Sequence, residues 1–366
     1  MDCKYFNLCG SCTLPFSYEK QLDIKIKNAL EILGLDLKPS IIKSPQIHYR
    51  NRAEFRIWHE GEKINYALNS VHPKSVLQID SCTKVDGKIY ALMPKLLDEI
   101  SKNQTLKHKL FAVEFLSSSK DMLITLIYHK KLDEGWLGEA KRLSEILHIN
   151  IIGRSRKIKL KTSQDFIGES LNIDEKNYHF NIYEGAFSQP NRKVNEGMIS
   201  WVKSNLSKIV RKDLLELYCG HGNFTIPLGE HFNRVLATEI SKTSIKSALK
   251  NCQLNHVKNV NFLRMSVEEL VSAFKKEREF FRLRKLDLDG YEFSHVFVDP
   301  PRAGLDSKSL DFIKKFENII YISCSLQSLK RDLKELKRTH KVLHLGFFDQ
   351  FAYTNHLESG VILVKK

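Results

Sequence analysis

The sequence predicts an α/β protein in which a mixed α+β domain precedes a doubly wound, mostly parallel sheet. Two observations support this prediction. From about residue 193 onward, apolar runs alternate with amphipathic stretches, a pattern typical of repeated β-α units. A glycine-rich turn, Gly220-x-Gly222, follows the first of these apolar runs, as at nucleotide sites in such sheets. We therefore predict two domains, residues 1–182 and 183–366, which suits a chain of 366 residues.

Short, β-rich apolar runs characterise the first half of the chain. An amphipathic helix is predicted over residues 19–34, because apolar side chains recur at helical spacing and Gly34 provides a stop signal. The segment from about residue 50 to 165 is predicted to form a mixed sheet with one or two helices. Its predicted strands lie near residues 55–58, 110–115 and 122–128, and its predicted helices near 90–101 and 135–147.

Strands and helices alternate through the second half. The predicted helices cover residues 193–208, 224–231, 241–254, 308–316 and 326–337. The predicted strands cover residues 214–218, 234–239, 260–264, 294–298, 318–323, 341–348 and 359–364. This order of elements is that of a doubly wound α/β sheet.

The chain is strongly basic, with a formal net charge of +15 and a pI of about 9.3. Such a charge suggests a polyanionic partner. The basic residues form three groups, namely Arg50, Arg52 and Arg56, the alternating lysines of residues 157–161, and residues 275–285. Basic side chains among aromatic ones suit unstacked bases on a phosphate backbone. We therefore predict nucleic-acid binding, with the three arginines of the first group in direct contact.

Composition excludes several classes of protein. No apolar stretch reaches the ~18 residues that a membrane span needs, and the N-terminus has no signal-peptide pattern. Seven cysteines, an odd number, argue against a disulfide framework in a chain without a secretion signal. We expect a cytoplasmic protein with no membrane partner.

A cofactor site is predicted at the glycine-rich turn between residues 216 and 223. The turn follows a strand and precedes a helix, where glycine lets the backbone turn sharply and approach a ligand. Glu239 ends the next strand about twenty residues later, the place where a carboxylate binds a ribose diol. Thr225 stands where a dinucleotide motif has its third glycine, so a methyl-donor nucleoside fits this turn better than NAD.

Three residues in later segments complete a candidate active site. Asp299 and Cys324 each follow an apolar strand, and Glu358 comes some thirty residues further on. The carboxyl ends of strands form the ligand crevice of a doubly wound sheet. A helix predicted to begin near Leu326 is expected to help lower the pKa of the Cys324 thiol. A lone cysteine is more often a small core residue and a lone glutamate a surface acid, but the combination favours catalysis.

This combination fits methylation of uracil at C5. That carbon is a poor nucleophile until a thiolate adds to C6 and creates an enolate, which can attack a sulfonium methyl group. A base must then remove the C5 proton before the thiolate leaves. Cys324 is the candidate nucleophile and Glu358 the candidate base. Asp299, stiffened by Pro300 and Pro301, is expected to hydrogen-bond the uracil edge or the cofactor.

The chain resembles the RNA uracil-C5 methyltransferase family over nearly its whole length, and within it the tRNA-modifying branch. The resemblance rests on motifs that include residues 48–59, 187–191, 214–224 and 348–351. It implies a class I, Rossmann-like methyltransferase domain, an RNA-binding first domain and S-adenosylmethionine as cofactor. The implied substrate is the T-loop uridine (position 54) of tRNA, with a tRNA-like loop of tmRNA as a further substrate. The chain is expected to be a monomer.

The same resemblance implies roles for individual residues. It makes Cys324 the nucleophile and Glu358 the base. The pocket for the cofactor and the target base is expected to be lined by Gln189, Tyr218, Asn223, Glu239 and Asp299.

The chain departs from the family pattern in three places. Ser325 and Leu326 stand where Asn-Pro is usual, and Ala352 where proline is usual, which affects the expected loop geometry but not the nucleophile. The third departure is a four-cysteine set that resembles the iron–sulfur site of ribosomal-RNA members: Cys3, Cys9, Cys12 and Cys82. Such a set can bind a 4Fe-4S cluster or zinc, and spacing does not choose between them. The resemblance favours iron–sulfur; an unmetallated group is the alternative.

Three other functions are compatible with parts of the sequence. A 23S ribosomal-RNA uridine C5-methyltransferase is supported by the four cysteines. A non-catalytic RNA-binding or RNA-folding protein would need the basic groups but not Cys324. An iron–sulfur redox protein would need a flavin or partner site, for which no motif is found. The complete catalytic set favours a uridine methyltransferase that acts on tRNA.

Overall fold

The computed structural model describes residues 3–71, 75–206, 212–284 and 286–366. These residues form sheets of seven, two and eight strands. Lys285 of the third basic group and the last two residues of the predicted helix 193–208 lie outside the described residues. Within the described ranges, no helix is both long enough and apolar enough to cross a membrane.

The first half contains the seven-stranded sheet and the two-stranded hairpin. Its elements are α1 (Tyr18–Leu33), β1 (Ser40–Ile42), β2 (Arg52–Glu60), β3 (Lys63–Asn69), β4 (Val76–Ile79), α2 (Gly87–Lys102), α3 (Gln104–Lys107), β5 (Leu110–Ser117), β6 (Met122–Tyr128), α4 (Glu134–Leu147), β7 (Asn150–Ser155), β8 (Ile158–Lys161), β9 (Phe166–Ile173) and β10 (Lys176–Tyr183). The seven strands follow the order β4-β3-β2-β5-β6-β7-β8. Only β6 and β7 pair in parallel; the other neighbours are antiparallel.

Alternation along β2 separates a buried face from an exposed one. Ala53, Phe55 and Ile57 are buried in a core that α2 and α4 help to close, whereas Glu54 and Arg56 are exposed on the other face. This period of two is expected for a strand with one face against helices. The exposed face of β2 therefore presents Arg56, one of the three arginines predicted to contact nucleic acid.

The second half forms most of the eight-stranded sheet. Its elements are α5 (Arg192–Ser204), β11 (Asp213–Leu217), α6 (Thr225–Gly229), β12 (Arg234–Thr238), α7 (Lys242–Leu254), β13 (Val260–Leu263), α8 (Val267–Phe274), β14 (Phe293–Val298), α9 (Ser307–Ile313), β15 (Asn318–Ser323), α10 (Leu326–Leu336), β16 (His340–Phe348) and β17 (Glu358–Lys365). The strand order is β1-β16-β17-β15-β14-β11-β12-β13. β17 runs antiparallel to both neighbours, and the other pairs are parallel. The predicted doubly wound sheet is confirmed.

The direction of winding reverses between β11 and β14. The chain proceeds from β11 outward to β13, then returns to place β14 on the other side of β11. Crossovers leave the sheet in opposite directions at such a point, so a crevice opens at the carboxyl ends of the two strands. The fold itself thus determines where a ligand site can form.

Elements from before residue 183 also pack on the eight-stranded sheet. β1 pairs with β16 in parallel, and Ala29 and Leu33 of α1 are buried in the core beneath this sheet. The hairpin of β9 and β10 packs against α5 and α7. Neither β1 nor α8 was among the elements predicted from the sequence. The division into residues 1–182 and 183–366 stays a prediction.

Candidate active site

A cavity of about 740 Å³ lies at the carboxyl ends of β11, β14 and β15. It contains six of the seven residues predicted for catalysis and cofactor binding: Cys324, Glu358, Gln189, Tyr218, Glu239 and Asp299. Cys324 directly follows β15, Asp299 directly follows β14, and Glu358 is the first residue of β17. Residues that are distant in sequence therefore share one cleft because their strands end at the same edge of the sheet.

The turn after β11 is built on left-handed backbone. Tyr218 has φ 62°, Gly220 has φ 56° and Gly222 has φ 89°. The carboxylate of Glu239 holds this turn: its Oε2 accepts the Gly220 N–H at 3.1 Å, and its Oε1 accepts the Ser241 N–H at 2.7 Å. Because a carboxylate oxygen can accept more than one hydrogen bond, Glu239 can still bind a diol.

Asn223 lies behind this turn and does not line the large cavity. Its side-chain amide exchanges two hydrogen bonds with that of Asn195, at 2.8 and 2.9 Å. It lines a separate small polar cavity, which Gln189 and His221 also line. The Asn223 amide therefore fastens the turn to α5, and its predicted contact with the cofactor stays a prediction.

Burial raises the pKa of the carboxyl groups in the cavity. It raises the pKa of Asp299 to about 7. Burial and the neighbouring charge of Asp299 raise the pKa of Glu358 to about 8. One oxygen of Glu358, Oε2, is buried and has no hydrogen-bond partner among the residues that the structure describes. Since desolvation disfavours the charged form, Glu358 has a high affinity for a proton once it is ionised.

The pKa of the Cys324 thiol is raised, contrary to the expectation that a helix start would lower it. Burial is the largest cause, followed by the charges of Glu358 and Asp299; the Arg302 guanidinium opposes them. α10 does begin at Leu326, but its N-terminal N–H groups are partly satisfied by Ser325, whose Oγ accepts the Ser328 N–H at 3.4 Å. Desolvation and the two nearby acids therefore raise the pKa of this thiol, although it precedes the start of a helix.

The first two departures from the family pattern, at Ser325-Leu326 and at Ala352, have structural counterparts. Ser325 acts as the N-cap of α10, a role that asparagine also fills well. Ala352 is fully buried against Cys12 and Tyr353. Neither position lines the cavity that contains Cys324.

Several residues that line the cavity had no role predicted from the sequence. Phe187 and Ile240 are 71% and 67% exposed, which is unusual for apolar side chains at a cleft and suits contact with a ligand. Arg154 also lines the cavity and forms an ion pair with Glu184. Arg302 directly follows the Asp299-Pro-Pro sequence, so its proximity to Asp299 was the signal that could have identified it.

Internal contacts of Arg52 make it a structural residue. Its Nε donates to Oε1 of Glu114 at 2.7 Å, and its Nη1 donates to the carbonyl oxygen of Ala186, beside Phe187. The guanidinium therefore joins the seven-stranded sheet to the segment that borders the cavity. Arg52 thus has a positioning role within the protein, and its predicted contact with RNA stays a prediction.

The other two arginines of this group keep accessible guanidinium groups. Arg50 lies over the ring of Phe351, with its Cζ 5.6 Å from the ring centroid. Arg56 is exposed, and its Nη2 donates to Oδ1 of Asn69 at 2.6 Å. Contact of Arg50 and Arg56 with RNA stays a prediction.

Ion pairs partly neutralise the second and third basic groups. Lys159 pairs with Asp165 at 2.8 Å, and Arg282 pairs with Glu269 at 3.1 Å. Their positive charge is therefore less available to a polyanion than the sequence suggested.

The four cysteines of the predicted metal site do not fit a metal as they are placed. Cys3, Cys9, Cys12 and Cys82 line one cavity of about 20 Å³, which is room for about one water molecule. Within the part of the chain that the structure describes, no three His, Cys, Asp or Glu residues are arranged to hold a metal ion. Burial raises the pKa of Cys12 to about 11. The iron–sulfur or zinc prediction is therefore not supported.

The sheet order, the turn after β11 and the position of the cavity define a class I methyltransferase fold. A solved structure with this fold is the Pyrococcus abyssi tRNA (uracil-54, C5)-methyltransferase in complex with S-adenosyl-L-homocysteine. It is 21% identical to this chain, with a TM-score of 0.73, and the match covers 98% of this chain and 86% of that one.

Sequence comparisons identify the family within this fold class. The family model for tRNA (Uracil-5-)-methyltransferase matches residues 17–366. Relatives named tRNA/tmRNA (uracil-C(5))-methyltransferase include one from Aliarcobacter butzleri, 53% identical over 100% of this chain and 99% of its own length. Another, from Campylobacter concisus, is 49% identical over the full length of both. The chain belongs to the tRNA (uracil-5-)-methyltransferase family.

Proposed function

We propose that this protein transfers a methyl group from S-adenosylmethionine to C5 of the T-loop uridine (position 54) of tRNA and to a tRNA-like loop of tmRNA. The observation that supports this proposal is the presence of Cys324 and Glu358 in one cavity with the glycine-rich turn. The names of the two relatives and the uracil-54 specificity in the name of the Pyrococcus abyssi enzyme agree with it.

The cofactor is proposed to lie along the turn after β11. When bound, S-adenosylmethionine supplies an electrophilic methyl group on a sulfonium sulfur. The Glu239 carboxylate would accept hydrogen bonds from the ribose hydroxyl groups. The exposed side chains of Phe187 and Ile240 would contact the adenine ring. Gln189 and Tyr218 line the same cavity, so each can contact the cofactor or the target base.

Cys324 and Glu358 are proposed to act in sequence on the uracil ring. The Cys324 thiol would lose its proton to solvent, and the thiolate would form a bond to C6 while the C5–C6 electron pair becomes an enolate. C5 would then bond to the methyl group as the methyl–sulfur bond breaks. Glu358 accepts the C5 proton, the C5–C6 double bond re-forms, and the C6–S bond breaks, which regenerates the thiolate.

The alternatives are less well supported. The four cysteines favoured a 23S ribosomal-RNA substrate, but the relatives from Aliarcobacter butzleri and Campylobacter concisus are named for tRNA and tmRNA. A purely RNA-binding or RNA-folding protein would not need Cys324 and Glu358 in one cavity. A cytoplasmic location and a monomeric state stay predictions from the sequence.

The proposal can be tested with a T-loop stem-loop RNA and labelled S-adenosylmethionine. We expect one methyl group at the T-loop uridine, mapped by nuclease digestion and mass spectrometry. Replacing that uridine with 5-fluorouridine should trap a covalent protein–RNA complex, because Glu358 cannot remove fluorine as a proton. An RNA whose loop uridine is replaced by cytidine is the control. Methylation of 23S ribosomal RNA but not of tRNA would contradict the proposed substrate.

A further inference from the structure

A second cavity, of about 470 Å³, lies beside the catalytic one. It is bordered by residues on the N-terminal side of β2 and by the segment between β16 and β17. We call it the flanking cleft and define it by five of its lining residues: Arg50, Lys84, Phe351, Asn355 and His356. Its volume is within the range of ligand pockets, about 300 to 1,000 Å³.

Aromatic and cationic groups lie next to one another along one side of the flanking cleft. The Arg50 guanidinium lies over Phe351, and the rings of Phe351 and His356 are 5.8 Å apart at an angle of 61°. His356 and Asn355 are exposed, and Phe351 is half-buried. Such surfaces bind unstacked nucleobases with little regard to base identity, because every base has a π-face.

Two cations of the flanking cleft have no acidic partner. Among the described residues, neither Arg50 nor Lys84 belongs to any ion pair within 4.0 Å, although Arg50 Nε donates to the Arg52 carbonyl oxygen. Lys84 is 6% exposed, and its Nζ donates to the Ser11 carbonyl oxygen at 2.7 Å. A buried ammonium group without a carboxylate favours an anion nearby. Glu54 is the acid in the lining, and its carboxylate can accept from a base amino group.

The two cavities share a wall. His356 lines the flanking cleft and Glu358, two residues later, lines the catalytic cavity. Two extended residues span at most about 7 Å. Burial lowers the pKa of His356, and the charge of Arg302, which also lines the catalytic cavity, lowers it further, so these side chains are close. A chain with one unit in the catalytic cavity could therefore place its neighbouring unit in the flanking cleft.

We propose that the flanking cleft binds an unstacked nucleotide adjacent to the target uridine, with its base against Phe351 and His356 and its phosphate near Arg50 and Lys84. This inference rests on the proposed function, since it assumes that the strand carries a uridine into the catalytic cavity. The proposed contact requires a second extruded nucleotide next to the target. Such a nucleotide is available in a loop but not in a paired stem, so the enzyme would act on a loop.

An abasic scan tests the base contact. T-loop stem-loop RNAs with one abasic site, at each of the two positions on either side of the target, are methylated by the wild type, Phe351→Leu and His356→Ala. For the wild type, one abasic position should lower kcat/KM about tenfold, since one stacking contact is lost. On that RNA the two variants should show no further loss, although each is impaired on intact RNA.

Two results would overturn the base contact. In the first, no abasic position affects the wild type. In the second, a variant assayed on the abasic RNA loses activity by the product of the two separate losses, which would mean that the side chain and the base act independently. Failure of the wild type to methylate intact RNA would instead overturn the proposed function. Thermal melting of Phe351→Leu identifies a folding defect. His356→Ala tests the same base contact at an exposed position.

Salt dependence tests the phosphate contact. Lys84→Met keeps the length of the side chain but removes its charge, and Lys341→Met is the matched control at an exposed position on β16. The slope of log Kd against log salt for stem-loop RNA should become shallower for Lys84→Met, by the contribution of about one phosphate contact. It should stay unchanged for the control. Equal slopes for the wild type and Lys84→Met would contradict the phosphate position.

Discussion

Cys324 and Cys12 are both thiols whose pKa is raised by burial, yet they occupy different kinds of cavity. Cys324 is half-buried at the carboxyl end of β15, in a cleft of about 740 Å³ that also contains Glu358. Cys12 is 6% exposed and packs against Tyr18 and Tyr353, beside a cavity of about 20 Å³.

The comparison shows that a raised thiol pKa does not by itself indicate a role. Burial is the largest cause for both cysteines, but the further causes differ. The charges of Glu358 and Asp299 act on Cys324, whereas those of Cys9 and Cys82 act on Cys12 and Lys84 opposes them. Only Cys324 has both a candidate proton acceptor and space for a substrate.

The largest expected effect comes from removing the thiol of Cys324. Cys324→Ala should abolish methyl transfer and 5-fluorouridine trapping, because no other group in the cavity can add to C6. RNA binding should survive, as measured by filter binding. Cys252→Ala, a buried cysteine outside the cavity, is the matched control and should keep both reactions. Appreciable turnover by Cys324→Ala would show that Cys324 is not the nucleophile, and Cys324 and Cys12 would then no longer differ in function.

Removing the base should stop the reaction one step later. Glu358→Gln should lower turnover by about 10² to 10⁴-fold, since a positioned base contributes that much. A covalent protein–RNA adduct with an already methylated base should accumulate and be visible by denaturing electrophoresis and mass spectrometry. If the variant turns over like the wild type, another group or water accepts the proton.

Activity should rise with pH across the neutral range. The pKa of Glu358 is raised to about 8 and that of Cys324 is raised as well, so both are protonated at low pH and inactive as base and nucleophile. We expect kcat/KM to rise up to about a hundredfold per pH unit below pH 8, where both groups must lose a proton, and to go on rising by up to about tenfold per unit above pH 8 until the Cys324 thiol is ionised. Single-turnover rates from pH 6 to pH 10 measure this. A profile that is flat or falls from pH 6 to pH 8 would contradict the assignment.

The two cysteines should also differ in their reaction with iodoacetamide. Cys324 is the more accessible thiol, whereas the pKa of Cys12 is about 11 and its side chain is buried. Peptide mass spectrometry over a time course should find Cys324 alkylated first, and S-adenosylhomocysteine should slow that reaction. Alkylation of Cys12 at an equal rate would show that its cavity opens readily.

The smallest effect is expected at Cys12. Cys12→Ser places a hydroxyl group in an apolar cluster and should lower the free energy of unfolding by about 1 to 3 kcal/mol. Methyl transfer and covalent trapping should persist, because Cys12 does not line either the catalytic cavity or the flanking cleft. Denaturant unfolding and metal analysis of the wild type provide the measurements. Iron or zinc in anaerobically purified protein would contradict the conclusion that the four cysteines do not fit a metal.

Local sequence patterns determined most of the elements and the place of the site. Apolar runs and their spacing predicted β14, β15 and α10 to within about two residues, because these patterns depend on neighbouring residues alone. The order of the elements then predicted a doubly wound sheet, and residues following its strands had to meet at one edge. Cys324 and Asp299 could therefore be placed together from the sequence.

Only the tertiary structure decided the partners and the electrostatics of these residues. β1 has three residues and no alternation to detect, and it becomes a strand by pairing with β16. Arg52 meets Glu114 on a neighbouring strand, and Asn223 meets Asn195 on α5. The direction of the Cys324 pKa shift depends on burial and on two acids from other strands. Spacing along the chain determines local periodicity, whereas desolvation and pairing depend on distant residues that the fold brings into contact.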